Sequence, residues 1–128
     1  MILKAREIKN LSETMETLLP LQLKMPFAYE VASIAREVRE NNFMINAMKQ
    51  EIVERFAERD DNGQIRVNQE DGTVEVQEGK YVELNAELDK LMNRDIELNS
   101  NKIKLVDIKD LDLTVGQISA LIPLIDVE

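Results

Sequence analysis

The side chains best placed for chemistry lie in residues 58–72, ERDDNGQIRVNQEDG. With Gly63 set on the glycine of a calcium loop, Glu58, Asp60 and Asn62 fall on the first three ligand positions. Gln64 then supplies a backbone carbonyl and Ile65 takes the usual apolar place. The pattern breaks where the coordination shell must close. Position twelve is Gln69, which lacks a carboxylate, and a strand-like run follows where a helix is required. We therefore expect no metal site. The stretch reads as a helix stop at Asn62-Gly63. Its carboxylates, Asp60, Asp61, Glu70 and Asp71, are candidates for an acidic contact surface.

A second set is basic and aromatic. Arg36 and Arg39 share a helix face, with Lys24 in reach. Together with Tyr29 and Tyr81 they are the material from which an anion or nucleotide site would have to be built. The ordinary alternative is an exposed pair answered by Glu37 and Glu40.

Catalytic kits are missing. The sequence has no His and no Cys, which removes the usual proton shuttle, thiol nucleophiles, disulfides and the commonest metal ligands. Ser12, Ser33, Ser100 and Ser119 have no His to activate them, and no glycine-rich phosphate loop occurs. Proton transfer would rest on Lys, Asp and Glu alone. We expect no enzyme activity and no cofactor.

The elements that must position these residues follow from composition and period. The chain has 128 residues, 44% apolar and 32% charged, which suits one folded, soluble domain spanning 1–128. Residues 1–57 carry eight acids and eight bases, and residues 58–128 carry 17 acids and eight bases, so the second half holds the whole net charge of −9. Such a balance argues against direct nucleic-acid binding and suits a basic protein partner, cations or plain solubility. No long apolar run is present, and the opening MILKAREIKNL is charged too early for a signal peptide. A cytoplasmic location away from the membrane is the expectation.

Phe27, Val31, Ile34, Val38, Asn41, Ile45, Met48 and Ile52 step by alternating fours and threes. This is a heptad seam, and no Gly or Pro interrupts residues 27–62. It predicts a helix over 26–58, with Pro26 at its first position and a length of roughly 50 Å. Such a helix needs a second helix or another subunit against it, so Val31, Ile34, Val38, Asn41, Ile45 and Met48 are the expected seam of a homo-oligomer. Asn41 either fixes its register or sits at its edge.

An earlier helical period, Ile8 to Leu19, has Asn10 and Glu13 in a capping-box pattern, while residues 2–8 can open as a strand or a first helical turn. Two alternating runs, QIRV and TVEV, separated by a stretch ending in Asp71-Gly72, predict a β-hairpin over 64–77. Tyr81, Leu84, Leu88 and Leu91 predict a helix over 80–93 returning antiparallel to the long one, with the hairpin at the tip of the pair. Residues 95–99 and 102–107 alternate around Ser100-Asn101 and predict a small sheet, open to the N-terminal residues as a further strand. Thr114 and Gln117 open a last helix over 114–122. The fold class is α+β, dominated by helices.

The segments LKAREIKNL, LKMPFAYEVASIAREV, IELNSNKIKLVDIKDLDLT and ISALIPLIDVE resemble a family of small acidic proteins encoded by phages and prophages of Gram-positive bacteria. That family has no established catalytic residues, so no site carries over. The resemblance implies an accessory factor acting in the host cytoplasm. The expected function is non-enzymatic binding of a host, defence or phage protein, as a homo-oligomer. Two alternatives are a counter-defence sponge for a signalling nucleotide and a virion or tail-assembly component.

Overall fold

The computed structural model describes residues 1–126. A short strand β1 (Ile2–Lys4) leads directly into α1 (Ala5–Leu18). The backbone N–H of Lys4 donates to the Glu7 carboxylate at 2.9 Å, which occupies a donor that helix entry would leave free. Asn10 is therefore not a cap but an exposed residue inside α1.

The long helix α2 runs from Phe27 to Arg55. Its main partner is α1, laid antiparallel along its first two thirds: Ser12 meets Asn42 at 3.2 Å and Glu16 meets Arg39 at 3.3 Å. α3 (Tyr81–Met92) returns along the last third of α2, as the leucine spacing predicts. The expected antiparallel pair is present, but α1 provides most of the cover.

This arrangement corrects the oligomer seam. Val31, Ile34, Val38 and Ile45 are 4%, 0%, 1% and 1% exposed within one chain. Ile8, Leu11, Met15 and Leu18 of α1 belong to the same buried cluster. The helical period of residues 8–18 supplies the counter-surface that a second copy would otherwise have to bring. Asn41 and Met48 lie half-buried at the margin, and the Asn41 amide donates to the Glu37 carbonyl at 2.8 Å.

α2 ends at Arg55, three residues before the expected Glu58. The next backbone groups are claimed by an incoming strand: Gln77 N–H donates to the Phe56 carbonyl at 2.9 Å, and Glu58 N–H to the Glu75 carbonyl at 2.8 Å.

The C-terminal third departs most from expectation. β2 (Asp95–Glu97) pairs antiparallel with β1, Leu3 opposite Ile96. β3 (Ile103–Lys104) pairs parallel with β4 (Ile125–Asp126), and Leu105–Ile108 forms the short helix α4. The hairpin expected between 95–99 and 102–107 is absent. A two-residue primed turn needs positive φ, and among the described residues no non-glycine residue adopts it. The N–H groups of Asn99 and Ser100 instead donate to the Glu37 carboxylate of α2. α5 (Val115–Leu121) opens on the expected Thr114–Gln117 capping box, at 2.8 and 3.1 Å, and passes into a 3-10 turn through Leu124. Among the described residues no helix is long and apolar enough to cross a membrane.

Candidate functional site

Residues 56–80 join α2 to α3, and they form more than a hairpin. Three backbone bonds close a cycle: Glu58 N–H donates to Glu75 O at 2.8 Å, Glu75 N–H to Arg66 O at 2.9 Å, and Arg66 N–H to Glu58 O at 2.8 Å. Three short ladders radiate from it. One, bridging Ala57 and Val76, is the stem that joins the helices. A second, bridging Arg59 and Ile65, is tipped by Asp60–Gly63. The third, bridging Val67 and Val74, is tipped by Asn68–Gly72. Asn62-Gly63 is thus the tip of an additional arm and not the end of a helix, and the predicted hairpin over 64–77 supplies only part of the unit.

Local turn chemistry holds each arm. Gly63 and Gly72 have φ of 80° and 72°, where a Cβ is disfavoured. Asp60 Oδ1 accepts from the N–H groups of Asn62 and Gln64 at 2.9 and 3.0 Å. Asp71 Oδ1 accepts from the Thr73 N–H at 2.9 Å and its hydroxyl at 2.7 Å. The Thr73 hydroxyl, then its N–H, hold the Asp71 carboxyl below its ordinary value. Side chains repeat the cycle at the junction: Arg66 reaches Glu58 at 3.3 Å and Glu75 at 4.0 Å. All three are about half exposed, so each contact contributes roughly 0–1 kcal/mol.

No side chain from residue 58 to residue 83 is buried. The head is ordered by turns and ladders without a core of its own. Residues 56–80 carry seven carboxylates against three cations. The four acids expected to form a contact surface are divided between the two arms, Asp60 and Asp61 at one tip, Glu70 and Asp71 at the other.

No protein-family model, curated protein or solved structure matches this chain.

The basic and aromatic set is not brought together. Tyr29 and Arg36 line a cleft of about 300 Å³ beside residues 99–101. Arg39 lies on another face, paired with Glu16 at 3.3 Å. Tyr81 begins α3, beyond the head. Glu30 and Glu37 line the same cleft as Arg36, so its electrostatics oppose a phosphate.

Glu37 itself was not singled out in the sequence beyond a surface partner for the arginines. Its carboxylate takes the N–H of Asn99 at 2.7 Å, the N–H of Ser100 at 2.9 Å and the Ser100 hydroxyl. Burial opposes its charge, but the Ser100 hydroxyl and these two N–H groups outweigh that and hold its carboxyl below the ordinary value. It clamps the loop after β2 onto α2. The junction residues Arg66 and Glu75 were likewise missed, and Glu58 was read only as a position in a calcium-loop pattern. The available signal was the spacing of Gly63, Gly72 and Gly79, each lying at positive φ in a turn that begins at Asp60, Asn68 or Gln77.

Proposed function

We propose that the chain is a non-enzymatic accessory protein, of the phage kind its sequence resembles, that binds a basic surface on another protein through the two-armed acidic head. The observation that carries this reading is the head's construction. An exposed, well-defined backbone with no core, bearing seven carboxylates against three cations, is suited to recognition and contributes little to the stability of the helical body. Acidic tips on short arms favour fast, salt-dependent encounter with a positive partner. The nucleotide-sponge alternative is left with Tyr29 and Arg36 in a cleft that also holds two glutamates, and nothing specific favours a virion role.

The test is capture from lysate of the bacterial host by tagged protein, compared with Asp60→Lys/Asp61→Lys and Glu70→Lys/Asp71→Lys. The expected result is a defined partner that is lost on at least one arm variant and released by raised salt, while the helical circular dichroism is unchanged. A partner held equally by wild type and both variants would sink the reading.

A further inference from the structure

One edge of the contact between α1 and α2 is polar. Arg39 pairs with Glu16 at 3.3 Å. About one turn further, the Asn42 amide donates to the Ser12 hydroxyl at 3.2 Å. At that rung lies a notch of about 480 Å³, lined by Lys9, Asn10, Ser12, Glu13, Asn42 and Asn46. Every lining residue is polar. Lys49, the next turn of α2 after Asn46, comes within hydrogen-bonding reach of Lys9.

Stability does not account for this cluster. Among the described residues neither lysine has a carboxylate within 4.0 Å. Glu13 follows Lys9 by four positions, the less favourable order for such a helical pair. The hydrogen bond with Lys49, then the Lys49 charge, then burial hold the Lys9 amine below its ordinary value. Donors are also unspent. Among the described residues the side-chain amides of Asn10 and Asn46 have no hydrogen-bond partner, and the Ser12 hydroxyl accepts from Asn42 with no acceptor for its own proton. Asn42 Oδ1 is buried without a partner, where polar atoms are ordinarily paired.

The unspent groups specify the ligand. An oxyanion between Lys9 and Lys49 turns their repulsion into two charge-assisted hydrogen bonds. Two cations here face one carboxylate, Glu13, the reverse of the cleft at Arg36 with its two glutamates. The lining offers a nucleobase no ring to stack on, so the ligand is hydrophilic throughout.

We propose that this notch binds a small oxyanion, phosphate or a phosphomonoester, held between the Lys9 and Lys49 ammonium groups and oriented by Asn10, Ser12 and Asn46. The site belongs to the helical body. It is independent of the acidic head and of any protein that the head binds.

The experiment is an NMR titration of the isotopically labelled chain with inorganic phosphate and with glucose 6-phosphate, each against sodium chloride at matched ionic strength. Both phosphates should give saturable shifts in the millimolar range, confined to residues 9–13 and 42–49. The Lys9 amine should titrate higher with ligand bound, a readout that needs no substitution. Lys9→Gln/Lys49→Gln should weaken binding at least roughly tenfold, as loss of charge-assisted bonds predicts. Lys102→Gln/Lys109→Gln removes the same charge elsewhere and should leave binding unchanged. Tighter binding of glucose 6-phosphate than of phosphate assigns the site to a phosphomonoester, and the reverse assigns it to the free ion. Shifts that chloride reproduces, no saturation with either phosphate, or equal weakening in both double variants overturns the proposal.

Discussion

The carboxylate of Glu37, in the middle of α2, accepts the backbone N–H of Ser100 at 2.9 Å across 63 positions of sequence. With the Asn99 N–H and the Ser100 hydroxyl on the same carboxylate, this bond decides the path of the chain after β2. Replacing Glu37 by Ala leaves three donors to find water. The expected loss is about 1–3 kcal/mol in urea unfolding.

The same carboxylate makes stability depend on acid. Its folded pKa lies below the ordinary value, so its contribution is fully present above the unfolded pKa and is lost as pH falls through the folded one. Glu37→Gln should flatten the acid limb of the stability profile and be less costly in acid than at neutral pH. Parallel acid limbs for wild type and variant would contradict this.

Asp71 should titrate below an ordinary aspartate in a carbon-detected NMR series. Thr73→Val removes the hydroxyl, the larger of the two contacts, and should move Asp71 back toward its usual value. The group is fully exposed, so the readout is the titration and not global stability.

Gly63→Ala and Gly72→Ala test whether the arms are separate from the body. Nothing lies within 4 Å of a Cβ added at either position, so the cost is conformational, on the order of 1 kcal/mol. It should appear as faster amide exchange in the altered arm, at Gln64 or Thr73, with little change in the global unfolding midpoint. Equal loss of protection throughout α1 and α2 would show that head and body unfold together.

Ile34→Ala should cost about 2–5 kcal/mol, because Ile34 is fully buried inside one chain. Phe43→Ala, on the same helix but 76% exposed, should be nearly neutral in a dilute sample. If the Ile34 variant lost self-association while its unfolding curve stayed in place, the seam would be an interface after all.

Periodicity and turn chemistry were legible because they act over a few residues. The steps from Phe27 to Ile52 predicted α2, the leucines from Leu84 to Leu91 predicted α3, and Thr114 with Gln117 marked the start of α5. The same patterns say that a face is apolar, and leave open what covers it. Val31, Ile34 and Val38 are equally consistent with a second subunit and with α1, and only their burial against Ile8, Leu11 and Met15 decided the matter. Strand pairing was the other long-range choice. Ile96 and Ile103 alternate as strand residues should, yet β1 and β4 took them as partners, because Glu37 holds the turn that would have paired them with each other.

The head lies between these cases. Asp60, Gly63, Asn68 and Gly72 determine two turns from their own side chains and backbone preferences. That the turns become arms of one junction is decided by three bonds among Glu58, Arg66 and Glu75, which form only when α2 and α3 bring residues 56–58 and 75–77 side by side. The sequence by itself determined the helices, the turns and the excess of negative charge. The tertiary structure decided which apolar faces meet, which strands pair and where the charge is displayed, because those contacts join residues far apart in the chain whose local preferences are the same with any of several partners.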